Sequence, residues 1–244
     1  MIALLGSAAP GSRVQVIGDV RASVVPAAPD SAQVNMVTYL HPGGVGPKLN
    51  ALRAAYEGSG VRRWAVWVPD TDKETARMLT SSDYLRTATL PAMMLRLASL
   101  GRRPPRALDV DDRGHVETIG WINEAALGHE PGTIAGAFRD EPDARTGRRT
   151  YYRAWHDGSA AGALCTIRHR WSNNGDDCGL SWLGVAPVAR RKGVATALLT
   201  TALHDARERG CITATLQASE QGEPLYRALG FTTVGEFGVY ETTA

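Results

Sequence analysis

Arg190-Arg-Lys-Gly-Val-Ala195 is a basic turn built around a glycine. It stands between a strand-like run, Leu180-Ser-Trp-Leu-Gly-Val185, and a long amphipathic stretch. A strand feeding a glycine turn that opens a helix is a place to hold phosphates. The first N–H groups of a helix have no internal acceptors, and its dipole leaves about half a positive charge there. Arg190, Arg191 and Lys192 add formal charge, and Gly193 lets the backbone come close to an oxyanion. The turn therefore reads as an anion cradle.

Outward from the turn, Val194, Leu198, Ala202 and Ala206 form one apolar row, and Ala195, Leu199 and Leu203 form a second. Rows at this spacing make the core face of a helix. Gly210 ends it, Ile212–Leu216 reads as a strand, and Ser219 opens a last helix that Gly230 closes. Upstream, a short strand near Ala107–Val110 leads to helical material at Val116–Leu127 and Thr133–Arg139. Strands follow at Arg149–Trp155, Ala161–Arg170 and Leu180–Val185, with turn signals at Asp157-Gly158 and Asn173-Asn174-Gly175. Antiparallel strands followed by a β-α-β-α-β finish predict a mixed, mostly antiparallel sheet with flanking helices.

The pair of motifs Arg190-x-x-Gly193-x-Ala195 and Leu225-Tyr226-x-x-Leu229-Gly230-Phe231, in that order with a strand between them, resembles the GCN5-related N-acetyltransferase superfamily. The resemblance covers about Ala107 to Ala244. It implies the acyl-CoA N-acyltransferase fold, acetyl-CoA as donor, no metal, and a primary amine on a small molecule or peptide as acceptor. In proteins similar to this one the pyrophosphate is held by the turn, which implicates Arg190, Arg191, Lys192, Gly193, Val194, Ala195 and Thr196, mainly through backbone N–H groups. The strand Leu183-Gly184-Val185 would diverge from its neighbour and pair with the pantetheine arm as an added strand does.

The same resemblance makes Tyr226 the proton donor to the departing thiolate. A phenol keeps its proton at neutral pH, its ordinary pKa being about 10. Ser219 matches a position that contacts the cofactor in the family, and it would serve equally as a helix cap. The base is not evident. The strand reads Gly179-Leu-Ser-Trp-Leu-Gly184 without an acid, and His169, Glu124 and Glu130 are the candidates. An acyl-CoA-binding sensor or scaffold without catalysis is the alternative reading.

Gly101-Arg-Arg-Pro-Pro-Arg106 reads as a domain boundary, because two prolines withhold backbone donors from any sheet or helix interior. It divides the chain into a smaller α/β region, 1–103, and the acetyltransferase-like region, 107–244. Arg139–Arg149 reads as a charged surface loop. The first region echoes the second: Gly43 to Gly60 and Gly193 to Gly210 both span 17 residues and both hold an amphipathic helix. Each is followed by a strand (Trp64–Val68, Ile212–Leu216), a helix (Thr71–Thr80, Ser219–Leu229) and, in the first region, another strand near Thr87–Leu90. An internal duplication accounts for this, as would two unrelated α/β segments of similar length. If it is a duplication, the first copy has lost its chemistry: Leu40-His41-Pro42 replaces the basic triplet, and Leu79 stands for Tyr226 when Asp83-Tyr84 is matched to Gly230-Phe231.

Bulk properties narrow the function classes. At 244 residues, 43% hydrophobic and 21% charged, the chain has the composition of a globular protein with room for two cores. No apolar run nears the roughly 20 residues needed to cross a bilayer, so no membrane partner is expected and a cytoplasmic location follows by default. Three cysteines at spacings that suit no zinc site read as buried thiols. Residues 1–106 carry 13 Lys and Arg against 7 Asp and Glu, and the remainder 14 against 18. The positive residues are scattered and not interleaved with aromatics, which argues against a nucleic-acid partner. Whether the protein is a monomer or a dimer stays open.

Overall fold

The computed structural model describes residues 11–105, 107–132, 134–135, 148–171 and 175–242. The expected helix at Thr133–Arg139, the loop at Arg139–Arg149 and the Asn173-Asn174 turn lie largely outside them. Among the described residues no helix is long and apolar enough to cross a membrane.

The described residues form two compact units. One runs to Pro91 and resumes at Gly235; the other lies between Ala92 and Val234. In the first unit, strands β1 (Arg13–Ile17), β2 (Val20–Val24) and β3 (Met36–Tyr39) precede helix α1 (Leu49–Glu57). Sequence patterning assigns no element to these three short strands. Then come β4 (Ala65–Pro69), helix α2 (Lys73–Thr80) and β5 (Tyr84–Arg96), the last strand passing into the second unit after Pro91. The chain's final strand, β11 (Thr232–Thr242), passes back after Val234. Sheet order within this unit is β1-β2-β3-β4-β11-β5, with β3 and β4 parallel and β4 and β11 antiparallel.

Helix α1 turns Leu49, Leu52 and Tyr56 inward, at the spacing of one helical face. Tyr56 stacks on Trp64 at 4.5 Å, and Tyr84 meets Trp64 edge-on at 5.4 Å. Trp64 is therefore core. Helix α2 begins where the Asp72 carboxylate accepts the Thr75 N–H at 3.0 Å, an N-cap of the usual kind.

In the second unit, β6 (Asp109–Asp111), helix α3 (Val116–Leu127), β7 (Arg149–His156), β8 (Ser159–Trp171), β9 (Gly175–Val185), helix α4 (Val194–Glu208), β10 (Cys211–Gln217) and helix α5 (Glu223–Ala228) follow in order. The strands lie β5-β10-β9-β8-β7-β6, with only β9 and β10 parallel. The mixed, mostly antiparallel sheet expected from the pattern is the one observed. Val194, Leu198, Leu199, Ala202, Leu203 and Ala206 of α4 are buried against Leu164, Cys178, Leu180, Ala214 and Leu216 in one apolar cluster. A fully buried leucine contributes about 1.5–3 kcal/mol. All three cysteines are free and buried.

The two units repeat one another element by element: β3, α1, β4, α2 and β5 correspond to β9, α4, β10, α5 and β11. The backbone repeats too. Gly43 and Gly193 both have positive φ, at 74° and 79°, as do Gly60 and Gly210 at 71° and 88°. Asp83 takes φ 64° where its counterpart Gly230 takes 92°. Left-handed residues at matched positions are costly to place without glycine, so their agreement is more telling than the shared spacing.

Candidate functional site

The end of β9 and the start of α4 are brought together by a glycine. Gly162 on β8 pairs with Val185, and a Cβ there would come within 2.5 Å of Val194 and 2.9 Å of Leu198. Only a bare backbone lets the first turn of α4 settle onto the strand end. Val194 is consequently buried, while Arg191, Lys192, Gly193 and Thr196 are exposed and Ala195 is half-buried. Val194 anchors the turn through its side chain.

At the turn itself, Arg191 has φ 61° and Gly193 has φ 79° with ψ 4°. The first in-helix bond of α4 is Ala197 N–H to Gly193 O at 2.9 Å, so the N–H groups of Val194, Ala195 and Thr196 precede it. No side chain caps this end, and a Cβ placed on Gly193 would meet nothing within 4 Å. Donors with open space before them are what a phosphate requires. Arg190 is deployed differently: its guanidinium donates to the Ala126 carbonyl at 2.6 Å. That carbonyl lies in the last turn of α3, where a cation is favoured by the dipole. Arg190 thus ties the turn to α3 and leaves the charge at the helix start to Arg191 and Lys192.

Strand β9 has β8 along one edge as far as Val185, but its register with β10 ends at Gly179 opposite Thr215. Leu183, Gly184 and Val185 therefore have a sheet partner on one side and, among the described residues, none in β10. Within this stretch Trp182 and Leu183 together face Leu164, a bulge marked by φ 54° at Trp182. Asn123 of α3 secures it. Its Nδ2 donates to the Trp182 carbonyl at 3.0 Å and to Ile119 O at 2.8 Å. Gly184 makes room, since a Cβ there would be 2.9 Å from Asn123 Oδ1. Neither the bulge nor Asn123 was anticipated. Gly184 within the strand was the available signal, since glycine in a strand marks bulges and close approaches.

Tyr226 lies on the short helix α5, buried, edge-on to Phe231 with centroids 5.8 Å apart. Burial pushes its pKa up to about 12, so the hydroxyl keeps its proton at every physiological pH. Gly222 gives the ring space, a Cβ there lying 3.2 Å from its edge. Ser219 Oγ accepts the Gly222 N–H at 3.1 Å, and the Ser219 carbonyl accepts the Glu223 N–H at 2.9 Å. The turn-forming role of Ser219 is thus directly visible, and its hydroxyl proton is left to donate elsewhere.

Of the base candidates, Glu124 is committed: one carboxylate oxygen accepts the N–H groups of Ile134 and Ala135, each at 2.6 Å, and the residue is buried. Glu130 is exposed. His169 on β8 stands opposite Asp177, and its Nε2 lies 3.2 Å from where a Gly179 Cβ would be. Burial lowers its pKa, leaving a neutral ring at pH 7. Strand β9 also begins earlier than Leu180 and so does carry acids. Asp176 bonds Arg168 at 2.5 Å, and buried Asp177 accepts the hydroxyls of Thr213 and Thr215 at 2.6 and 2.7 Å. The turn signal at Asn173-Asn174-Gly175 could have placed that strand start. Among the described residues no group of His, Cys, Asp or Glu could hold a metal ion.

Residues 117–231 match the model of the acetyltransferase (GNAT) family. No curated protein sequence matches the chain. Among solved structures, a GCN5-related N-acetyltransferase from Kribbella flavida superposes with a TM-score of 0.66 at 17% identity, covering 96% of this chain and 90% of its own. A tandem GNAT protein from the clavulanic acid biosynthesis pathway gives 0.63 at 16% identity, covering 99% and 87%. A GCN5-related N-acetyltransferase from Sphaerobacter thermophilus gives 0.58 at 17%, covering 92% and 76%. At these identities the likeness is one of fold, and it extends through the first unit as well as the second.

Proposed function

We propose, from the match of residues 117–231 to the acetyltransferase (GNAT) family, that the protein moves an acetyl group from acetyl-CoA to a primary amine of a small molecule or peptide. Acyl transfer is the general chemistry of such a domain. The observation that carries the finer reading is the left-handed Gly193 opening α4, with donors and open space before it, following a strand whose register with β10 ends at Gly179.

Each residue then has a task. The N–H groups of Val194, Ala195 and Thr196, with Arg191 and Lys192, hold the pyrophosphate. The β10-side edge of Leu183–Val185 aligns the pantetheine amides as an added strand would. An N–H near the bulge polarises the thioester carbonyl, a contact of a kind typically worth about 3 kcal/mol. The amine nitrogen attacks the carbonyl carbon, the carbon–sulfur bond breaks, and Tyr226 gives its phenolic proton to the sulfur. The proton lost by the amine passes to water or to His169, which is neutral and has no hydrogen-bond partner among the described residues. A cytoplasmic setting belongs to this reading, and three free buried thiols suit it.

The test is a turnover screen with acetyl-CoA and a panel of amines, monitored by release of free thiol. Thiol release that depends on the amine supports the enzyme. CoA binding with no release from any amine in the panel would favour a non-catalytic acyl-CoA-binding module.

A further inference from the structure

In the first unit the counterpart of the cradle is not open. Asp72, itself 2% exposed, accepts three hydrogen bonds on one carboxylate: Gly43 N–H at 3.0 Å, the Tyr39 hydroxyl at 2.8 Å and Thr75 N–H at 3.0 Å. It therefore spans the end of β3, the glycine turn and the start of α2. A second carboxylate, Asp19, accepts the His41 N–H at 3.3 Å and pairs with His41 Nδ1 at 3.1 Å and with Lys48. It crowds the turn so closely that a Cβ on Gly44 would fall 2.8 Å from it.

The correspondence between units makes this more than a local cap. Gly43 matches Gly193 in position and backbone angle. Asp72 lies eleven residues before left-handed Asp83, and Ser219 lies eleven before left-handed Gly230. So the positions that correspond to 193 and 219 of the second unit are bonded to each other in the first. In the second unit the Ser219 Oγ accepts the Gly222 N–H, and the Gly193 N–H has no acceptor among the described residues.

We infer that the first unit's turn is an anion site filled by the chain's own carboxylates, with Asp72 standing where an oxyanion of a ligand would stand and Asp19 closing the turn beside it. The donors are those of an anion cradle, namely a left-handed glycine N–H, a hydroxyl, a helix-start N–H and a lysine. The negative charge they attract is built in. Burial alone would raise the Asp72 carboxyl, but the bonds from Thr75, Gly43 and Tyr39 outweigh it and hold the group below the usual carboxylate range, so it is ionised at neutral pH. The first unit is thereby complete without ligand, and each chain keeps one open cradle.

The experiment is a titration of the full-length protein with inorganic phosphate, read by the amide resonances of the two turn glycines. Asp72→Ser is the informative variant, since serine keeps the cap on Thr75, reproduces the second unit's residue, and is too short to reach Gly43. In that variant phosphate should shift the Gly43 amide and raise the thermal midpoint by about 2–4 °C more than in the native protein. A Gly43 amide that ignores phosphate in Asp72→Ser overturns the inference. The native protein supplies a second reading that needs no variant to fold. Its Gly43 amide should ignore phosphate at pH 7 and move as the Asp72 carboxyl takes up its proton in acid. A native Gly43 amide that answers phosphate at pH 7 overturns it equally.

Discussion

Asn123 Nδ2 donates to the Trp182 carbonyl at 3.0 Å, from the middle of a helix to the one left-handed non-glycine residue in the strand that leads to the cradle. The bond holds a backbone conformation that a tryptophan adopts only at a cost of about 1–2 kcal/mol. It decides where the N–H groups of Leu183–Val185 point. Replacing Asn123 with alanine should lower kcat by about tenfold while changing CoA affinity by less than threefold. The two are separable by steady-state kinetics and calorimetry, and equal losses in both would make Asn123 a general packing residue. Stability should also fall, by about 0.5–1.5 kcal/mol, as the bond from Asn123 to the half-buried Trp182 is lost.

Gly193→Trp should abolish CoA binding in a chain that still folds. The side chain would enter the open space before the α4 N–H groups, and the positive φ adds strain of about 1–2 kcal/mol. Calorimetry gives the affinity and circular dichroism the fold. A folded variant that binds CoA normally would remove this turn from the site.

Tyr226→Phe keeps the ring against Phe231 and removes only the hydroxyl. Turnover should fall by roughly 10²-fold with CoA affinity almost unchanged, as expected of a group needed in the transition state. Because burial holds the phenol's pKa at about 12, the native pH–rate profile should show no alkaline decline from loss of this proton below pH 11. Near-normal turnover of the phenylalanine variant, with chemistry rate-limiting, would leave Tyr226 a packing residue.

One CoA should bind per chain. The first unit lacks the basic triplet, has Leu79 in place of the tyrosine, and has its turn donors already bonded to Asp72 and Asp19. A calorimetric titration saturating at two would contradict this.

Acid should weaken the first unit in a defined window. Hydrogen bonding to Lys48 holds the Asp19 carboxyl at about 2, and Asp72 is held below its ordinary value as well. Folded values below the unfolded one, about 3.9, mean a contribution fully present above pH 4 and lost as pH falls toward 2. Urea midpoints measured between pH 6 and pH 2.5 should decline through that range in the native protein and less steeply in Asp72→Asn. Parallel curves would show that Asp72 is no more favourably held when folded than when unfolded.

The second unit was largely legible because its signals are local. The apolar rows of α4, the glycines at its two ends and the Leu225–Phe231 motif each lie within a few turns of chain, and local periodicity reports which face is buried. The likeness of the two units was legible for the same reason, as a repeated spacing of glycines whose positive φ angles also match. What escaped were features whose partners are remote. The three opening strands are too short to carry a pattern. Strand β9 began before the run that looked most like a strand, so Asp176 and Asp177 went unread.

By itself, then, the chain's sequence determined two α/β units, the helix-opening turn and the residue types offered to it, because turn conformation and amphipathic faces are written in neighbouring residues. Only the tertiary structure decided how those groups are used. Asn123 meets Trp182 across 59 positions, Arg190 meets Ala126 across 64, and Asp72 meets Gly43 across 29. The strands that follow α2 and α5 likewise leave one unit for the other. Such contacts depend on sheet register and on glycines thin enough to let elements touch, and no local period encodes either. The same turn is for that reason an open cradle in one unit and a closed one in the other.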